Sequence, residues 1–257
     1  MSVYAGPADW WTNGINDGRY HIDTKGIVQT GLIYHIDAAV TQSYPGSGTT
    51  WTDLTANPIN VTINNGTFSS DSGGALIPSS VTARFATVGN LALASKFSLT
   101  QNFSIEQIFK PTGYQSTNYF GLTNQLLAKG TASTYNYATQ LTSDTSVSFI
   151  KRSGVEGLQY HTFTVPSMLN RVIVLTFVIS SNTTVLCYMN GSLIGSLSVV
   201  GAAIAAVDGD PTYIGNTFNG NDGVFIGNYH SCKVYNIALS AAQVTQNFNA
   251  LRGRFGI

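Results

Sequence analysis

Glu106 and Glu156 are the only glutamates in the chain. Hydrolysis of a glycosidic bond needs two carboxyl groups, one as acid and one as base or nucleophile. Around Glu106 the sequence reads Ser104-Ile105-Glu106-Gln107-Ile108, with no second carboxylate in the strand. Around Glu156 it reads Ser153-Gly154-Val155-Glu156-Gly157, a turn. This spacing argues against such a hydrolase. Four histidines are spread over the chain and no GxSxG elbow accompanies them, so a Ser/His/Asp site has no support. Neither a GxGxxG opening a helix nor a P-loop occurs. Cys187 and Cys232 each sit inside an apolar strand pattern and read as two buried free thiols. Without CxxC or a Cys/His cluster there is no zinc motif, and His35 reads as a strand-face residue.

Oxygen ligands are better represented. Asp208-Gly209-Asp210, with Asp222 nearby across a loop rich in Asn216, Asn219 and Asn221, could hold calcium. The same residues are ordinary turn formers, and both readings stand. The other chemistry is aromatic. Residues 1–30 place Tyr4, Trp10, Trp11 and Tyr20 among Gly6, Pro7, Gly14, Gly18 and Gly26, with neither helical nor strand period. Leaving a large apolar side chain in water costs about 1.5–3 kcal/mol. The arm therefore packs back on its own domain or docks on another subunit, where Trp and Tyr make favoured anchors.

Composition narrows the partners. Of 257 residues 9% are charged, and twelve basic residues cancel twelve acidic ones. Ordinary soluble proteins carry about 25% charge. No electrostatic footprint for nucleic acid or an anionic membrane results. A neutral coat of Ser, Thr, Asn and Gly suits a subunit fixed in an assembly better than a free protein at high concentration. The start, MSVYAGPADW, lacks the basic and apolar regions of a signal peptide, so no secretory route is expected. No segment approaches the roughly 18 apolar residues of a membrane span.

The elements that must position these groups are short strands. Arg171 to Ser198 supplies three: an apolar run from Val172 to Ile179, a second from Val185 to Met189, and a third through Leu193, Ile194 and Leu197. Asn190-Gly191 between the last two is a type I′ hairpin signal. This antiparallel triplet reads as the centre of a sheet covered on both faces. Gly31 to Asp37 alternates, with Leu32, Tyr34 and Ile36 on one side and Ile33 and His35 on the other. In Phe103–Phe109 one face holds Phe103, Ile105, Gln107 and Phe109; the other holds Ser104, Glu106 and Ile108. Further strands fall at 61–63, 83–88, 91–93, 125–128, 138–141, 147–150, 159–165, 213–215 and 232–235, and Trp51 starts another element. One helix of about ten residues is signalled by Ser240-Ala-Ala-Gln243, a capping box, with Val244, Phe248 and Leu251 on one stripe. Many short strands and a single helix predict an all-β, two-sheet antiparallel sandwich over 31–257, preceded by an N-terminal arm, 1–30.

Blocks of the chain resemble the laminin-G-like, concanavalin A-like sandwich domains, whose fold is a jelly roll. They are GLIYHIDA at 31–38, YPGSGTTWTDLTAN at 44–57, FSIEQIFKP at 103–111, VLCYMNGSLIG at 185–195, TYIGN at 212–216 and KVYNIALSAAQVTQNF at 233–248. They occur in the family's order. The first two, with the ending NFNALRGRFGI, are most similar to versions found in virion proteins of tailed bacteriophages. The family often has Trp where this chain has Ile108, and Trp-His-His before the central strand, where this chain offers Tyr160-His161 or Asn170-Arg171. Glycosidases of the family place carboxylates two and four residues apart on one strand face, a motif absent here. Sugar-binding relatives use rim-loop aromatics, and the matching candidates are Tyr114, Tyr119, Tyr135 and Tyr137, with Phe218 in a separate loop.

The resemblance implies a non-enzymatic structural protein of a bacteriophage particle. The expectation is a multi-copy capsid decoration protein on the outer surface of head or tail, contacting other virion proteins such as the major capsid protein. The alternative is a carbohydrate-binding tail or fibre module that attaches to a host glycan; Tyr114, Tyr119, Tyr135 and Tyr137 are candidate contacts to the glycan or to a neighbouring subunit.

Overall fold

The computed structural model describes residues 26–79, 85–88, 96–97, 99, 101–115, 123–130, 136–153, 157–199, 210–216 and 223–257. Strands form where β-branched and aromatic residues run without helical spacing. In chain order they begin with β1 Leu32–Asp37, β2 Thr50–Trp51, β3 Val61–Ile63, β4 Gly66–Ser69 and β5 Ala75–Pro78. Then come β6 Ala86–Val88, β7 Phe103–Pro111, β8 Gln125–Lys129, β9 Tyr137–Ser143, β10 Ser146–Ser153 and β11 Gly157–Thr164. The last five are β12 Ile173–Ser180, β13 Thr184–Met189, β14 Ser192–Ser198, β15 Thr212–Ile214 and β16 Gly227–Tyr235, followed by one helix, α1 Ala241–Phe255.

These strands make two eight-stranded antiparallel sheets. The first runs β14-β13-β12-β7-β16-β5-β4, with β1 also paired to β16. The second runs β11-β10-β9-β8-β15-β6-β3-β2. The predicted β-sandwich with a single C-terminal helix is therefore the observed architecture. Between the sheets lies one apolar cluster, including Phe103, Ile105 and Phe109 of β7, Leu175 and Phe177 of β12, and Tyr137, Leu141 and Phe149 of the second sheet. The Phe149 and Phe177 rings meet across it with centroids 5.9 Å apart. Gln107 is polar within this layer and fully engaged: its amide donates to Tyr229 OH at 2.7 Å and its carbonyl accepts from Thr139 Oγ1 at 2.7 Å. A buried polar group without such partners would cost about 1–3 kcal/mol.

The two faces read off β7 are both present, and both are buried. The inner face enters the interlayer core. The outer face lies under α1, which buries Val244, Asn247 and Leu251. Leu251 packs with Ile27, Ile108 and Val174; Val244 packs with Val28, Val178 and Tyr188. The helix starts at the expected capping box: Ser240 Oγ accepts from the Gln243 N–H, and Gln243 Oε1 accepts from the Ser240 N–H. It is 15 residues long rather than about ten. Gly253 costs a helix interior about 1 kcal/mol, but Arg254 beyond it grips Asp37 with 2.8 and 2.9 Å bonds, and Gly256 closes the end at φ 67°.

Three further expectations change. The β12–β13–β14 triplet is not the centre of its sheet: β14 is an edge, with Leu193 55% exposed, and β7 and β16 take the middle. The two-sided burial that the apolar run of β12 signals is present, with α1 covering its outer face. In β1 the register shifts between Leu32 and Tyr34. Leu32 consequently packs on the helix side and Ile33 toward the interlayer core, the reverse of a regular alternation. The boundary at residue 30 also moves, because Ile27 and Val28 are 2% and 5% exposed and belong to the body. Cys187 and Cys232 are both buried free thiols, and burial pushes each up to about 12. Among the described residues no helix is long and apolar enough to cross a membrane.

Candidate functional site

Glu156 lies outside the described residues; Glu106 lies within them, and its surroundings fix what it can do. β7 places it on the outer face opposite Lys233 of β16. Lys233 Nζ donates to Glu106 Oε1 at 2.9 Å, with both side chains wholly buried. The other oxygen accepts from Asn247 Nδ2 of α1 at 3.1 Å. Asn247 also donates to Tyr235 OH at 2.9 Å and accepts the Val28 N–H at 2.8 Å. The helix thus roofs the acid with an amide whose hydrogen-bonding groups are all engaged. No water or substrate reaches this carboxylate.

Three other described carboxylates are also ion-paired. Asp53 pairs with Lys96 at 3.0 Å, Asp71 with Lys110 at 3.1 Å, and Asp37 with Arg254. Burial drives Asp37 upward, yet the Arg254 guanidinium wins and leaves it below the usual carboxylate range. His35 and His230 lie near that pair. Burial and then Lys233 lower His35 to about 3; burial, with Arg254 adding to it, lowers His230 to about 4. No group of three His, Cys, Asp or Glu suited to a metal occurs among the described residues.

The proposed aromatic surface divides. Tyr137 is not a rim-loop residue: it opens β9, is 1% exposed, and donates to the Phe97 carbonyl at 2.8 Å. Its inward side of the strand carries it into the interlayer core. Tyr114 is half-buried at the rim, and its OH donates to Asp144 Oδ1 at 3.2 Å. Tyr119, Tyr135, Phe218 and the arm residues Tyr4, Trp10, Trp11 and Tyr20 lie outside the described residues. So do Asp208 and Asp222. Asp210, the described member of that trio, has its main-chain oxygen 3.0 Å from Lys129 Nζ and a carboxylate oxygen 3.5 Å from Asn136 Nδ2.

Tyr114 leads to a groove by way of Asp144. In the turn between β9 and β10, Asp144 accepts the Ser167 hydroxyl at 2.6 Å and the N–H groups of Met168 and Leu169 at 2.8 and 2.6 Å. These bonds, the Ser167 hydroxyl first, hold its carboxyl below the ordinary range. They also pin the loop from β11 to β12. Asn170 in that loop is left-handed at φ 59°, and its N–H reaches the Pro111 carbonyl at 2.8 Å. A groove of about 610 Å³ opens between this loop, the β13–β14 turn and the end of α1. Asn170 and Arg171 form one wall; Asn190 and Ser192 form the other; Val172 and Phe255 contribute apolar surface. Gly191 is required beside Asn190, since its φ of 76° and the Phe248 ring 2.9 Å from any Cβ exclude other residues.

Asn170-Arg171, one residue short of β12, is one of the two places raised for the family's Trp-His-His segment. The groove itself draws on segments more than a hundred residues apart, and no local motif announces it.

A family model described as the concanavalin A-like lectin/glucanases superfamily matches residues 85–245. No curated protein matches the chain by sequence. Among solved structures, the Trypanosoma rangeli sialidase in complex with sialic acid is similar at a TM-score of 0.60 and 13% identity, over 87% of this chain and 33% of that one. The botulinum neurotoxin type G receptor-binding domain gives 0.58 and 14%, over 86% and 51%. The binding domain of Paraclostridial mosquitocidal protein 1 gives 0.60 and 12%, over 86% and 52%. This chain therefore spans about a third to a half of these neighbours. At such identities the likeness is one of fold.

Proposed function

Since the chain belongs to the concanavalin A-like lectin/glucanases superfamily, we propose that it works by contact and not by bond-breaking, as a non-enzymatic decoration subunit of a tailed-bacteriophage particle. The observation that carries the non-enzymatic half is the sealing of Glu106 between Lys233 and Asn247 beneath α1. A general acid or nucleophile must reach its substrate within hydrogen-bond distance, and this one is roofed. The virion half rests on the ordered sequence blocks and on a surface short of charge, which suits a fixed subunit.

Mass spectrometry and immunogold labelling of purified virions test the location; several copies on the outside of the particle are expected. A protein found only free in the lysate sinks the reading. The arm is tested by deleting residues 2–25, stopping short of buried Ile27 and Val28. Incorporation should be lost while the melting curve is kept, and unchanged incorporation refutes the docking role. For catalysis, incubation with β-glucans should release no reducing ends. Release that disappears in Glu106→Gln overturns the non-enzymatic half.

The groove supports a second reading, a carbohydrate-binding module of a tail or fibre. Its volume lies within the roughly 300–1,000 Å³ of small-ligand sites, and it combines a few convergent polar groups with apolar walls.

A further inference from the structure

We propose that the groove binds a carboxylate-bearing saccharide, with Arg171 as the residue that reads the acid. The inference rests on the carbohydrate-binding reading and names the ligand class for it.

Arg171 is the anomaly that points there. Every other described cation has a side-chain contact: Lys96, Lys110, Lys233 and Arg254 have carboxylates, Lys129 a carbonyl, Arg252 the Phe248 ring, and Lys151 and Arg152 also have partners. The Arg171 guanidinium alone has none among the described residues. Asp144, the carboxylate that pins this loop, is occupied by Ser167, Met168, Leu169 and Tyr114. That same carboxylate fixes the loop, and the Arg171 N–H to the Met168 carbonyl, 3.0 Å, completes it. The backbone under Arg171 is therefore anchored without help from its side chain.

The opposite wall also presents donors. Asn190 spends its carbonyl oxygen on the Val174 N–H at 2.9 Å, which leaves the NH2 as its remaining group. Lys110 has one N–H on Asp71, whose charge largely offsets its own, and two others to give. Donors on both walls call for a ligand rich in acceptors. A planar guanidinium takes a carboxylate through two parallel bonds. Amide and hydroxyl groups match sugar hydroxyls, and Val172, Ile194, Phe255 and Ile257, none of them buried, offer surface for the C–H face of a ring.

Titration calorimetry on the whole protein tests this with two matched pairs: tri-galacturonate against its methyl ester, and sialyllactose against lactose. Binding of at least one acid is expected, at least about tenfold tighter than its neutral partner and weakening as salt rises. Arg171→Ala should cost about 10- to 100-fold; Arg171→Lys should recover part of it, because a point charge lacks the fork. Ser192→Trp, at an exposed groove position, should block binding with no change in melting temperature. Equal affinity for acid and neutral forms, or indifference to Arg171→Ala, overturns the acid-reading role while the carbohydrate-binding reading survives. Binding that survives Ser192→Trp overturns the site. No binding of any probe overturns both.

Discussion

Glu106 is held by a lysine, an amide and burial, which makes it a structural acid with steep consequences when its partners change. Removing one member of a buried pair leaves the other charged and uncompensated, at about 3–5 kcal/mol. Urea denaturation of Glu106→Ala and of Lys233→Ala should each show a loss of that size. The double change Glu106→Met/Lys233→Met should recover most of it, and additive losses would contradict the pairing. The histidines set the acid limit. Burial, with nearby Lys233 and Arg254, keeps His35 at about 3 and His230 at about 4, below the ordinary value of about 6.5. Between those values the unfolded chain binds more protons than the folded one, so stability falls as pH falls. The melting temperature should be flat from pH 8 to 7 and drop between about 6.5 and 4.5; an unchanged value at pH 4.5 would refute this. Asp37, held below its usual range against Arg254, adds its loss lower still.

At the scale of elements, α1 is worth more than its propensity, because it roofs a polar strand face. Ser240→Ala removes one half of the capping box and should cost about 1 kcal/mol. Arg254→Ala strips Asp37 of its only ion-pair partner among the described residues, at 0% side-chain exposure, and should cost about 3–5 kcal/mol in the same denaturation experiment. Equal effects of the two changes would mean that the helix end is not gripped. What could be read in advance follows the range of the interaction. The two faces of β7, the Asn190-Gly191 hairpin with φ of 51° and 76°, and the capping box are written within a few residues each. The neighbours of β12 are not: β7 pairs with β12 and β16 across long loops, and only the fold shows that β14 is the rim. Gly66–Ser69 and Ala75–Pro78 are too short to show a strand period, yet they pair with one another beside β16. Tyr114 was visible as a rim aromatic, whereas the groove assembles from loops that no local pattern joins.

For the molecule as a whole, stability is concentrated between the sheets. Phe149 is fully buried and meets Tyr137, Phe103 and Phe177, so Phe149→Ala should cost about 3–5 kcal/mol. Leu193, 55% exposed on the rim strand, should lose within about 0.5 kcal/mol on the same change. Comparable losses at both positions would contradict the single interlayer core. The clasp over Glu106 has a consequence for biosynthesis. Asn247 bonds Val28 from 219 positions away and Glu106 from 141 positions away. On the ribosome Glu106 emerges long before either Lys233 or Asn247, and closing such distant contacts is slow. Every strand can exist before the acid is sheltered, so completion waits for α1 to be made. A chain stopped ahead of Asn247 would own both sheets and the Lys233–Glu106 pair, and would still leave that pair uncovered on the face that should have been sealed.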